Sequence, residues 1–136
     1  MSAKLDIITT FMKEFGCGSI DKALDTLTED AQWAIVQTSR GTTLAKGELN
    51  KRLQMMRGAF ENGQLLLTPI SCVEQGDDVA VEFISSAETV LGGSYRNKYA
   101  IFFKFAGDKI ADVREYNDSL HITEVLAPAI IAQQSR

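Results

Sequence analysis

The sequence predicts an α+β fold, with amino-terminal helices laid across the concave face of a long, curling antiparallel or mixed sheet. Two observations carry this. In the first half, apolar residues recur at three- and four-residue spacing, the period of a helix with one buried face. In the second half, long β-type segments are separated by short turns at Gly76, Gly92-Gly93 and Gly107, so consecutive strands pair antiparallel. Helices first and strands afterwards make α+β rather than alternating α/β. The 136 residues suit a single domain, 1–136, able to bury a core without a disulfide or metal staple.

The first helix runs from Ser2, a suitable N-cap, and carries Leu5, Ile8, Met12 and Phe15 on one stripe; Gly16 is read as its stop. Ser19 caps a short second helix carrying Leu24 and Leu27, which ends near Glu29-Asp30. A strand is expected from Ala31 to Gln37, a loop from Thr38 to Thr43, and a third helix from Leu44 to Phe60 with Leu49, Leu53, Met56 and Phe60 on one face. The strands of the second half are Leu65–Glu74, Asp78–Val90, Ser94–Phe105 and Lys109–Asn117. Pro69 marks an edge strand or a bulge. From Ser119 the pattern is mixed or helical, with Pro128 as an interruption. Helices covering the concave side of such a sheet leave a cavity between the layers, the natural place for a small ligand.

Composition excludes several classes. Apolar residues make up 45% and charged residues 24%, which rules out a chain disordered along its whole length. The 14 basic and 18 acidic side chains give a net charge of −4. That argues against broad binding to nucleic acid or anionic lipid, which calls for a basic face. No apolar run is long enough to span a membrane. The start, Met1 to Asp6, lacks the features of a signal peptide, so a cytoplasmic protein is expected. Cys17 and Cys72 are expected to be small buried hydrophobes. With His121 as the sole histidine and no C-x-x-C, no metal site is expected. No nucleotide or nucleophile-elbow motif occurs, so no cofactor is expected either.

The stretch from Gly93 to Asp118 contains Tyr95-Arg96-Asn97-Lys98-Tyr99, Phe102-Phe103-Lys104-Phe105, Gly107-Asp108-Lys109-Ile110 and Arg114-Glu115-Tyr116-Asn117-Asp118. With Glu29-Asp30-Ala31-Gln32-Trp33 leading into the first strand, it resembles the SnoaL-like, ketosteroid isomerase-like group of the nuclear transport factor 2-like superfamily. The resemblance covers nearly the whole chain. It implies the cone-shaped fold of ketosteroid isomerase, limonene-epoxide hydrolase and the small polyketide cyclases, and a homodimer paired through the sheet, to which Ile101, Phe102 and Phe103 would lend apolar surface. Against ketosteroid isomerase, the region of the base holds Trp33, Ala34, Ile35 and Val36, with no acid. The first helix offers Phe11 and Phe15 in place of a tyrosine, and Ile101 stands near the position of the protonated aspartate. Against limonene-epoxide hydrolase, no arginine occurs from Glu82 to Ser85. Asp118 matches the last-strand aspartate of the small polyketide cyclases.

On the last strand, Arg114, Tyr116 and Asp118 share one face, and Glu115 and Asn117 share the other with Val113. Val113 alone does not decide which face lines the cavity. The candidate catalytic set is Asp118 as general base or anchor, Tyr116 as hydrogen-bond donor, Arg114 as a clamp for a carboxylate or enolate, and Glu82 as an acid or base raised by burial. The alternative makes Asp118 the N-cap of the tail and leaves Glu82 facing solvent, paired with a basic neighbour. Candidate ligand contacts are Trp33, Asn97, Tyr99 and Met56. Two functions follow. One is a cofactor-independent acid–base isomerase, cyclase or hydrolase acting on an apolar oxygenated metabolite. The other is a non-catalytic module that binds a small apolar ligand or dimerises.

Overall fold

The computed structural model describes residues 2–135. Helix α1 (Ala3–Cys17) opens at Ser2, whose Oγ accepts from the Leu5 N–H at 3.0 Å. It buries Ile8, Phe11, Met12 and Phe15. Gly16 does not stop it. Gly16 lies inside the helix at the place where the chain before the third strand crosses: the Leu65 N–H donates to the Gly16 carbonyl at 2.9 Å, and a Cβ on Gly16 would sit 2.0 Å from the Leu65 oxygen. The glycine answers a close approach rather than a chain reversal. Helix α2 (Ile20–Asp25) is capped by Ser19 Oγ.

Strand β1 (Leu27–Ile35) begins earlier than the expected Ala31. Part of the expected loop and helix start is instead a short strand, β2 (Thr42–Ala45), antiparallel to β1 with Leu44 opposite Trp33. Helix α3 is accordingly shorter, Lys46–Gly58, and buries Leu49 and Leu53. A 3-10 turn at Glu61–Gly63 leads into β3 (Leu66–Gln75) and β4 (Asp78–Glu88). The expected strand from Ser94 is broken into β5 (Ser94–Tyr95) and β6 (Lys98–Ala106), followed by β7 (Lys109–Asn117). The sheet runs β2-β1-β7-β6-β4-β3, with β5 against β4. β1 and β7 are parallel and the other pairs antiparallel, so the sheet is mixed.

Two local features shape the sheet. On edge strand β3 the register slips between Pro69 and Ser71, leaving Ile70 as the extra residue of a bulge. At the gap between β5 and β6, Asn97 replaces the ladder with its side chain. Its Oδ1 accepts from the Asp118 N–H and its Nδ2 donates to the Asp118 carbonyl, both at 3.2 Å, as another peptide would. The chain then turns into α4 (Ser119–His121), a π-helical turn (Ile122–Leu126) and α5 (Ala127–Gln134). Pro128 does not interrupt this tail. It falls in the first turn of α5, directly after the wide turn in which the Ala127 N–H reaches back to the Ile122 carbonyl. Its missing N–H is thus spent where the helical ladder already changes step.

Registers across the concave face stack the core in layers. Trp33, Val113, Phe103 and Val79 form one layer, and Ile35, Glu115, Ile101 and Val81 the next. Asn117, Tyr99 and Phe83 follow. Phe11, Phe15 and Trp33 pack ring on ring, with centroids 5.5–5.6 Å apart, and fill the space under α1. Of the phenylalanine run, Ile101 and Phe103 face this core; Phe102 alone points to the convex side, where all three were expected to contribute. Cys72 is exposed on β3 rather than buried, and Cys17 is partly buried. No helix among the described residues is long and apolar enough to cross a membrane.

Replacing Gly16 by alanine separates the two roles. Helix propensity alone would stabilise by about 1 kcal/mol. The crossing at Leu65 instead predicts a loss of about 1–3 kcal/mol from overpacking, read as a lower urea midpoint; a higher midpoint would show that the crossing is loose.

Candidate functional site

Between the sheet and the helices lies a cavity of about 330 Å³, at the small end of the range that holds small-molecule ligands. Its wall is mostly apolar. α1 contributes Met12 and Phe15, and α3 contributes Leu49, Leu53 and Met56. The carboxy-terminal helical segment closes one side with Ile122, Leu126 and Ile130. The sheet supplies Trp33 and Ile101, and nearly all the polar groups: Tyr95, Tyr99, Glu115 and Asn117, joined by Gln37 and by Arg52 from α3.

Glu115 is the acid of this cavity. The strand parity left open by the sequence resolves in favour of the face bearing Val113, Glu115 and Asn117. Glu115 Oε1 accepts from Trp33 Nε1–H at 2.9 Å, and Oε2 accepts from Asn117 Nδ2 at 2.7 Å. Burial disfavours its charged form and raises its pKa; the two hydrogen bonds and the nearby Arg52 guanidinium oppose that without overcoming it. The group therefore holds its proton to higher pH than an exposed glutamate.

A second polar group is built from hydroxyls. Tyr95 and Tyr99 Oη lie 2.8 Å apart. Tyr99 Oη also donates to Ser85 Oγ at 3.1 Å, and Asn97 Nδ2 donates to Tyr95 Oη at 3.0 Å. Burial pushes both phenols above their ordinary value, so both remain neutral donors. Tyr99 pairs with Asn117, and Ile101 with Glu115, across β6 and β7. Tyr99 and Glu115 are thus diagonal neighbours on one face, about 7–8 Å apart along the backbone. A carboxyl that can exchange a proton and a hydrogen-bonded chain of hydroxyls, Tyr95 to Tyr99 to Ser85, border the same space.

The expected catalytic set is corrected by its placement. Asp118 is exposed and caps α4, its Oδ1 accepting from the N–H groups of Leu120 and His121 at 3.1 and 3.3 Å. Glu82 lies on the convex face and accepts from Ser71 Oγ at 2.5 Å. Arg114 and Tyr116 share that face, both packed on the Phe102 ring. Arg114 also stands 3.9 Å from Asp112. The physical reason is strand parity: with Val113 inward on β7, and Val81 and Phe83 inward on β4, their even-numbered neighbours point outward. Of the expected ligand contacts, Trp33, Tyr99 and Met56 line the cavity. Asn97 is buried just behind it and holds Tyr95 in place. The sequence reading passed over Glu115 as a reactive group, although its position two residues after Val113 was the available signal. It also passed over Arg52, which sits three residues after Leu49 and one before Leu53 on the flank of α3's apolar stripe.

The likeness to known proteins agrees with this architecture. PrhC from Penicillium brasilianum NBRC 6234 superposes with a TM-score of 0.79 at 18% identity, over 98% of this chain and 93% of PrhC. TerC, solved with polyporic acid, gives 0.77 at 19% identity, over 93% of this chain and 99% of TerC. A protein of ketosteroid isomerase-like fold from Catenulispora acidiphila DSM 44928, in complex with trimethylamine, gives 0.75 at 14% identity, over 91% and 95%. At such identities the likeness is one of fold. No curated protein matches the sequence. The SnoaL-like domain family, however, matches residues 8–113, a span that reaches from α1 to the layer of Trp33 and Val113: this chain belongs to the SnoaL-like domain family.

Proposed function

We propose that the protein is an acid–base enzyme that takes an apolar oxygenated molecule into the cavity and moves a proton on it with Glu115, without a cofactor. The observation that carries this is the Glu115 carboxyl, enclosed by apolar wall and held by Trp33 and Asn117. A base acts best when its pKa lies near the working pH, and burial moves Glu115 in that direction. Turning its O–H from Ser85 to the ligand, Tyr99 would hydrogen-bond a carbonyl oxygen, with Tyr95 donating to the Tyr99 oxygen behind it, and favour the enolate as its α-proton leaves for Glu115. That TerC was solved with polyporic acid supports a small-molecule role for the fold, and the SnoaL-like family supports a cyclase- or isomerase-type reaction.

On the opposite side of the sheet, the proposed partner is a second copy of the chain. Val73, Ile84, Phe102 and Tyr116 are exposed on the convex face, flanked by charges of both signs at Glu82, Lys104 and Arg114. A two-fold contact needs such a self-complementary patch.

Three outcomes are expected. With 2-tetralone as an apolar ketone probe, the protein accelerates exchange of the α-protons with D₂O, followed by NMR. Glu115→Gln lowers that rate by about 10²-fold; equal rates in the two proteins, or bound ketone without exchange, would leave only a binding module. The second outcome concerns pH. In the unfolded chain Glu115 ionises near its ordinary value of 4.5, whereas the folded protein keeps the proton to higher pH. Stability carried by this group therefore falls as pH rises from about 4.5 to the folded pKa. The unfolding free energy of the wild type relative to Glu115→Gln should decline across that window; a flat difference would mean that Glu115 titrates as an exposed acid. Third, light scattering at micromolar concentration should report a dimer that Phe102→Glu converts to a monomer, and a monomeric wild type would contradict the partner.

A further inference from the structure

The cavity holds a charge that proton transfer by Glu115 leaves unused. Arg52 lies on α3 between Leu49 and Met56, and its side chain borders the cavity. Among the described residues it has neither a carboxylate at salt-bridge distance nor a side-chain hydrogen bond. Arg40, exposed in the turn after β1, also has no such partner but does not border the cavity, and three other arginines are engaged. Arg57 donates to the Gly63 and Gly18 carbonyls at 2.8 and 2.6 Å. Arg96 reaches Glu88 at 3.5 Å, and Arg114 stands 3.9 Å from Asp112. The acid that shares the cavity with Arg52 is Glu115, and each of its oxygens already accepts from Trp33 or Asn117. Arg52 is itself exposed, so its guanidinium brings five N–H donors to the solvent-facing rim of an apolar space, with no group of the described residues receiving them.

We propose that Arg52 anchors an acidic oxygen of the ligand, so that the molecules taken up are apolar bodies carrying a carboxylate or an enolate at the end that faces α3. This rests on the cavity being the ligand site. An anion entering an apolar cavity loses hydration and needs a paired cation there, and an arginine at the edge supplies charge and directed donors together. Both Glu115 oxygens are engaged by Trp33 and Asn117, which leaves the Arg52 guanidinium as the donor that an entering anion meets. Orientation follows as well: with the acidic oxygen at Arg52, the rest of the ligand extends over Glu115 toward the Tyr95–Tyr99 hydroxyls.

Isothermal titration at neutral pH with three probes of one size tests this: 2-naphthoate, its neutral methyl ester, and 2-hydroxy-1,4-naphthoquinone, whose enol is ionised. The wild type should bind at least one anion about tenfold more tightly than the ester. Arg52→Gln should remove that preference and leave the affinity for the ester unchanged, which also shows that the variant is folded. Arg52→Lys should keep part of it through charge alone. Loss confined to one of the two anions identifies which acidic group the site takes. An anion preference that survives in Arg52→Gln, or its absence from the wild type while the ester binds, overturns the anchor and leaves the acid–base reading standing. Failure of all three probes to bind overturns the anchor together with the cavity as a ligand site.

Discussion

A carboxyl enclosed by apolar side chains must find its hydrogen bonds within the protein, and at Glu115 they come from two strands that are far apart in sequence. Trp33 donates from β1 and Asn117 from β7. What brings them together is the parallel pairing of those strands, with Ile35 beside Glu115 and Trp33 beside Val113. Parallel neighbours cannot be joined by a tight turn; here the intervening chain supplies β2, α3 and the rest of the sheet. The acid is therefore seated only when the last strand docks against the first. The site is a product of the whole topology rather than of any local motif, and the aromatic cluster of Phe11, Phe15 and Trp33 fixes the indole that completes it.

The hydroxyl side of the cavity depends on a different device. Asn97 sits where β5 gives way to β6, and its side chain does the work of a peptide toward Asp118. The same amide donates to Tyr95, and the Asn97 N–H donates to Ser85 Oγ at 2.9 Å, which in turn accepts from Tyr99. One buried residue thus ties the end of β7 to the strand break and sets the two phenols. Since buried polar groups are costly when unpaired, each partner constrains the others, and the pair of hydroxyls is held in one arrangement before any ligand arrives.

Much of the architecture was legible because it rests on local periodicity. The stripe of α1, the glycine-centred turns between β3, β4, β6 and β7, and the bulge at Pro69 each have a signature within a few residues. What escaped has long-range causes. β2 is four residues with one buried side chain, and it becomes a strand only because β1 offers an edge. Gly16 looks like a helix stop until Leu65, distant in sequence, is seen against it. The face of β7 was undecided because both sides carry polar and charged residues. The deciding fact is that Val113 pairs with Trp33 and Phe103 on adjacent strands, and no single stretch of sequence contains it. Asp118 drew notice by its resemblance to a catalytic aspartate. In this chain, one residue past the end of the strand, it serves the helix that follows.

The indole that donates to Glu115 is the chain's single tryptophan. Emission from an indole responds to charge and polarity beside its N–H, so the tryptophan emission of this protein originates beside one hydrogen bond in the cavity wall. Loss or gain of a proton at that carboxyl, or entry of a molecule over it, should alter the signal without any attached dye. The group that steadies the acid is also a built-in optical reporter of its state.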